Sequence, residues 1–344
     1  MLSTPITREN LCRPSDATAL LPAAGIFRIL ICRPTHSLGN TLLLTPLLRD
    51  LQAIYPGAEI DIVARTPVAA QIFERFSNVR HVICLPSRAF QRPTEFIGAL
   101  SRMRQSRYDL VIDPHPHSRT GRALLYLSRG TYKLGFSGYK DSLLTHAVPV
   151  PQSTRHTGHR PVFLLRSALG HGVSAAPTLD IALSSDERSE GQETLRRLLG
   201  SAGMRSANGV IGVFANATGS KLLSESWWQS LLSAVAARYS AHAIVEIVPA
   251  FGRSMLGSRY PTFYSSDVRR LAGVLSQLSL FVSGDCGVMH LACASGAPVA
   301  GVFSATDPVE WGPYGPRDFA IDVRGLTAEQ VAKQLAEQIA LPDC

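Results

Sequence analysis

The chain has 344 residues, 45% hydrophobic and 17% charged, which is enough for two domains with sizeable cores. No run of 18 apolar residues occurs, which argues against a membrane-spanning helix. The net charge of +8 suits nucleic acid, an anionic membrane surface or a phosphorylated substrate. The basic residues are spread out (Arg102, Arg104, Arg107, Arg119, Arg122, Arg129, Lys133, Lys140), without interleaved aromatics or a nucleic-acid motif, so no nucleic-acid partner is expected. Cys12, Cys32, Cys84, Cys286, Cys293 and Cys344 form no C-x-x-C pair, which fits a reducing cytoplasm and excludes the usual zinc and redox spacings.

Residues 1–25 are polar and irregular, lack a signal-peptide core, and read as a flexible leader. Strands are then expected at Phe27–Cys32, Glu59–Ala64, His81–Leu85, Asp109–Asp113 and Lys133–Phe136. Helices are expected between them near Thr41–Ile54, Ala69–Phe76, Glu95–Met103 and Thr120–Ser128. A polar bridge, Pro149 to Arg160, precedes a helix at Val162–Ala168. The second half repeats the alternation. Its strands are Val210–Phe214, Ala243–Val248, Ser279–Val282, Val299–Phe303 and Phe319–Val323. Its helices are Asp186–Leu198, Ser226–Ala237, Asp267–Leu278, Val288–Ala294 and Ala328–Ile339. This is an α/β pattern of two doubly wound halves, 26–180 and 181–344, with a cleft between the carboxyl ends of two sheets.

Three segments carry chemistry. Arg33-Pro-Thr-His-Ser-Leu-Gly-Asn-Thr follows the first strand; Gly39 permits close approach and Asn40 can cap a helix, although a plain turn has the same look. Phe214 to Lys221 ends a strand in small residues, and Thr218, Gly219, Ser220 and Lys221 offer hydroxyl, backbone and ammonium donors to phosphate. Ser283-Gly-Asp-Cys-Gly-Val-Met-His leads from a buried strand through a carboxylate into a helix, a pattern suited to a nucleotide or to a structural turn. A further run, Tyr108-Asp-Leu-Val-Ile-Asp113-Pro-His-Pro-His-Ser-Arg119, ends another strand in His115, His117 and basic residues. No D-x-D and no third ligand beside the two histidines occurs, so no metal is expected.

Asp285-Cys-Gly-x-x-His290-Leu-Ala, then Thr306-Asp307-Pro308 and Trp311-Gly-Pro-Tyr-Gly315, resemble the bacterial heptosyltransferases of glycosyltransferase family 9. The resemblance extends over about residues 27–325 and is weak at 240–265, where nucleotide bases are often read. It implies a GT-B fold of two Rossmann-like domains, acceptor in the first and nucleotide-sugar in the second. It implies inverting transfer of heptose from ADP-heptose, as donor substrate rather than cofactor, to a lipopolysaccharide-core or related glycolipid or glycan acceptor. It implies donor contacts at Thr218, Gly219, Ser220, Lys221, Asp285, Cys286, Gly287 and His290, and acceptor contacts at Ser37, Gly39, Arg119 and Arg122. A cytoplasmic protein, at most peripheral to the inner membrane, is expected. Two departures stand out. Cys286 replaces the family's Thr or Ser, and a thiol is a poor donor. Asn40 replaces the Asp proposed as general base, and an amide takes no proton. His36, Asp113 and His115 are then the candidate bases. The alternatives are a family 9 enzyme with another donor or acceptor, or a nucleotide-sugar-binding protein that no longer transfers.

Overall fold

The computed structural model describes residues 20–172, 174–204, 208–249 and 251–339. Most of the expected leader, residues 1–19, lies outside the described residues, as do Cys12 and Cys344. The end of that leader is tied down rather than loose: Leu21 donates its N–H to Ala168 (2.7 Å), and Tyr55 donates its hydroxyl to the carbonyl of Pro22 (2.7 Å).

The first half contains β1 (Arg28–Cys32), α1 (Leu38–Leu42), α2 (Thr45–Ile54), β2 (Glu59–Ala64), α3 (Val68–Phe73), β3 (Val79–Cys84), α4 (Pro93–Gln105), β4 (Tyr108–Asp113), α5 (Arg119–Leu127), β5 (Gly130–Phe136), β6 (His146–Val148) and α6 (Arg160–Ala168). The second contains α7 (Ser185–Ser201), β7 (Val210–Phe214), α8 (Glu225–Arg238), β8 (Ala243–Ile247), β9 (Thr262–Phe263), α9 (Val268–Leu275), β10 (Leu280–Gly284), α10 (Gly287–Ser295), β11 (Val299–Phe303), α11 (Pro308–Trp311), β12 (Phe319–Asp322) and α12 (Ala328–Gln338). None of the described helices is long and apolar enough to cross a membrane.

Each half is built on a six-stranded sheet, ordered β3-β2-β1-β4-β5-β6 and β12-β11-β10-β7-β8-β9, with all strand pairs parallel. Parallel sheets need helices on both faces, so their central strands read as continuous apolar runs. Val210–Phe214 is an example, buried at every position. In each sheet the chain reverses direction across the sheet at one place, β1/β4 in the first and β7/β10 in the second. Open sheets of this kind bind ligands at such reversals, beyond the carboxyl ends of the strands. The segments after β1, β4, β7 and β10 are the four that the sequence singles out.

Local signals explain several boundaries. Ser184 and Glu187 form a capping box at α7, and the Asp267 carboxylate accepts from the N–H groups of Arg269 and Arg270 at α9. The single helix expected at Thr41–Ile54 is two. Pro46, in the first turn of α2, has no N–H to continue the ladder from α1, and Thr45 donates its hydroxyl to Leu42 (2.8 Å). The short elements β6, β9 and α11 were not expected.

An apolar cluster that includes Leu42, Leu47 and Phe73 from the first half also includes Leu271, Met289 and Leu291 from the second, so the halves share a buried contact. At its upper edge α1 and α10 meet almost backbone to backbone. A Cβ at Gly39 would lie 2.8 Å from Cδ2 of His290, and one at Gly287 would lie 2.9 Å from Cβ of Leu38.

Candidate active site

Above the Gly39–Gly287 contact lies a cleft of about 530 Å³, lined from the first half by Ser37, Leu38, Gly39 and Asn40. The second half supplies the loop after β7, the start of α10, Thr306 and Trp311. Lys221, at the end of a short 3-10 turn (Gly219–Lys221), reaches Oδ2 of Asp285 with its ammonium at 2.7 Å. The same carboxylate oxygen accepts the hydroxyl of Thr306, and Ser304 donates its hydroxyl to the carbonyl of Lys221 (3.0 Å). The lysine is thus held in the cleft by a carboxylate, itself buried and fixed by a hydroxyl.

Cys286 is the N-cap residue of α10, and its side chain makes no capping hydrogen bond. The thiol instead lies 3.4 Å from the hydroxyl of Ser283, and burial pushes its pKa up, so it stays neutral. The N–H groups of Val288 and Met289 pull the thiol the other way, but a neutral thiol is a weak acceptor, so the first turn of α10 still offers N–H groups suited to phosphate oxygens. His290, one turn on, is 3% exposed, and its Nδ1 has no hydrogen-bond partner. Burial pushes its pKa down to about 4, so the ring is neutral near pH 7.

Across the cleft Ser37 caps α1 by accepting from the N–H of Asn40 (3.4 Å). The Asn40 side chain carries a buried Oδ1 with no hydrogen-bond partner. Asn40 also borders a second, much smaller cavity of about 10 Å³, with Arg33, His115, Thr157 and Arg160. Nδ1 of His115 lies 2.7 Å from the carbonyl of Pro116. A carbonyl only accepts, so Nδ1 carries the proton and Nε2 is left as the basic nitrogen. Burial, with Arg33 nearby, lowers the His115 pKa to about 4. Burial also lowers that of Arg33, to about 10.

Residues 266–340 match the family model "Glycosyltransferase family 9 (heptosyltransferase)". No curated protein matches this chain in sequence. Among solved structures it is similar to a family 9 glycosyl transferase from Veillonella parvula, with TM-score 0.73 and 19% identity, covering 93% of this chain and 92% of that one. It is also similar to E. coli heptosyltransferase WaaC with ADP, with TM-score 0.70 and 23% identity, covering 91% and 100%. A third is E. coli ADP-heptose lps heptosyltransferase II, with TM-score 0.69 and 16% identity, covering 91% and 98%. At these identities the structures bear on the fold, which is the two-domain GT-B arrangement.

In the structure the expected residues fall into three groups. Ser37, Gly39, Asn40, Thr218, Lys221, Asp285, Cys286, Gly287 and His290 line the large cleft, and His115 lines the small cavity beside Asn40. Gly219 and Ser220 form the turn that carries Lys221 but do not line the cleft. His36, Asp113, Arg119 and Arg122 line neither cavity. His36 and Arg119 are exposed. Asp113 and Arg122, 0% and 1% exposed, are turned on each other: Nε of Arg122 lies 3.3 Å from Oδ2 of Asp113, and its Nη2 donates to Phe136 (2.9 Å). This pair ties β4, β5 and α5 together. Burial pushes the Asp113 pKa up to about 6 against the pull of Arg122.

Sequence reasoning did not assign Arg33, Asn216, Thr306, Trp311 or Arg160 to the site. Arg33 directly follows β1 and Asn216 follows β7, so the strand-end rule applied to every polar residue there finds both. Thr306 and Trp311 stand within the recognised C-terminal motif. Arg160 carries no local signal, since only the packing of α6 brings it to the cavity.

Proposed function

We propose that this chain transfers a heptosyl group from ADP-heptose, with inversion, to a lipopolysaccharide-core or related glycan acceptor. The donor would sit against the second half (181–344) and the acceptor against the first (26–180). The observation that carries this reading is Lys221 beside the uncapped start of α10, facing Asn40 across one cleft. The solved relatives described with ADP and with ADP-2-deoxy-2-fluoro heptose support the donor class.

The acceptor oxygen attacks the anomeric carbon as the bond from that carbon to the diphosphate oxygen breaks. ADP departs with its electron pair, and Lys221 and the α10 N–H groups stabilise the charge. The acceptor hydroxyl donates to Oδ1 of Asn40, which orients it, and its proton passes to Nε2 of His115. Positioning and leaving-group stabilisation supply most of the acceleration in such a step. A cytoplasmic site of action, peripheral to the inner membrane, follows from the glycolipid acceptor.

Calorimetry tests the donor half. Lys221→Ala should weaken ADP binding by ~1.5–3 kcal/mol, the scale of a charge-assisted hydrogen bond. Unchanged affinity would sink the donor assignment. A second reading, a nucleotide-sugar-binding protein without transfer, is favoured by one observation, the amide at position 40. Donor consumption with glycan acceptors present separates the two: binding without turnover selects the second.

A further inference from the structure

Helices α4 and α5 lie together on one face of the first sheet, where their buried residues Ala99, Met103, Leu124 and Leu125 share a cluster. Their outer surface departs from an ordinary solvated one in two ways. It is apolar in places: Phe90, just before α4, is 102% exposed, Ile97 on α4 is 64% exposed, and Tyr126 on α5 is 61% exposed. It is also strongly basic. Residues 86–129 hold seven exposed arginines, besides the buried Arg122, against three carboxylates. Two of those carboxylates are engaged elsewhere. Asp109 accepts from the N–H groups of Phe27 and Arg28, and Asp113 is buried against Arg122. Only Glu95 remains, paired with Arg92 at 3.4 Å.

The apolar and basic groups share a surface. Arg104 stands two turns after Ile97 on the same stripe of α4, and its Nη1 donates to the carbonyl of Leu127 (2.7 Å), next to Tyr126. Arg88, Arg102 and Arg107 are exposed around that line.

We infer that this face docks the chain onto an anionic lipid bilayer, with Phe90 and Ile97 entering the interface and the surrounding arginines on the headgroups. Apolar side chains on a basic surface fit the headgroup–acyl boundary, where both terms act together. Charge complementarity selects an anionic over a neutral membrane. Exposed aliphatic Ile97 favours lipid over nucleic acid, to which it offers neither charge nor a stacking face. Helix α5 starts four residues after His115, so a lipid-anchored substrate would rise beside the small cavity next to Asn40. The inference needs no donor or acceptor assignment, because its test contains neither.

Flotation of the full chain should show binding to phosphatidylglycerol–phosphatidylethanolamine vesicles, release at ~1 M salt, and little binding to phosphatidylcholine. The double variant Phe90→Ser/Ile97→Ser and the triple variant Arg88→Gln/Arg102→Gln/Arg107→Gln should each partition roughly tenfold more weakly. Their melting temperatures should be unchanged, since all five side chains are exposed. Phe90→Trp should blue-shift its emission on the anionic vesicles. Equal binding to both vesicle types, wild-type partition in both variants, or no emission shift would each overturn the docking face. So would retention on single-stranded oligonucleotide without vesicle binding.

Discussion

Asn40 concentrates the chemical question at a single side chain. Its amide oxygen is buried without a partner, so it can accept from a hydroxyl that enters the cleft, yet it cannot remove the proton. Replacing it with alanine should therefore cost less turnover than replacing the base. His115→Asn should lower kcat by ~10²–10⁴-fold, the range for loss of a positioned base. A base must be unprotonated to act, and burial holds the His115 pKa near about 4. The acid limb of kcat/KM should accordingly fall near pH 4 rather than near 6.5, and a limb at 6.5 would point to a solvent-exposed histidine. Asn40→Asp should preserve or raise turnover, whereas abolition by that change with Asn40→Ala harmless would remove position 40 from the reacting hydroxyl. The residue types at this site were legible as strand-end motifs. What was not legible is which of several polar neighbours faces the cleft. Asp113 and Arg122 carry the chemistry of a site but are consumed by each other, and only packing decides that.

At the scale of elements, strands with buried apolar runs and helices with clear caps were readable to within a few residues. The elements that escaped are short or lie at sheet edges. Strand β9 has two residues and β6 three, too few for a period to register. The break between α1 and α2 turns on Pro46, which the apolar pattern alone passes over. The α1–α10 crossing depends on two glycines that no periodicity marks. Gly287→Ala would place a Cβ 3.0 Å from the backbone N of Gly39. Overpacking of this kind costs about 1–3 kcal/mol. Thermal melting should show that loss, and turnover should fall as well, because the same displacement shifts Asn40 relative to the start of α10.

Across the whole molecule the two halves are joined by more than the core. His156 shares a hydrogen bond with the carbonyl of Gly312 (2.8 Å), and Thr157 donates its N–H to Glu310 (3.0 Å). Arg155 pairs with Asp307, and Arg160 with Glu310 at 3.3 Å. Burial lowers the His156 pKa to about 4, below the usual 6.5. The unfolded chain therefore takes up this proton first on acidification. The contribution is complete above about pH 6.5 and is lost as pH falls toward 4, at most ~3 kcal/mol for this one group. Melting curves should show His156→Gln less stable than wild type at pH 7.5, with the gap narrowing by pH 4.5. A gap that widens on acidification would contradict the neutral buried ring. Buried Asp113 and partly buried Asp318, both raised to about 6, act in the opposite sense, so the comparison must be made between variant and wild type rather than on one curve.

The Lys221–Asp285 ion pair makes the proposed donor site nearly self-neutralising, and this bears on which anions it admits. A simple oxyanion gains the lysine only by competing with a carboxylate already in place. A nucleoside diphosphate can add contacts to the α10 N–H groups and to its own sugar and base, and so outbid the carboxylate where orthophosphate cannot. On the proposed function the pair would then act as a filter against the abundant free phosphate of a cell. Asp285→Asn would release that filter. Calorimetry should show inorganic phosphate binding more tightly to the variant than to wild type, while ADP loses its advantage over phosphate. Equal discrimination in the two proteins would mean that the carboxylate only shapes the loop.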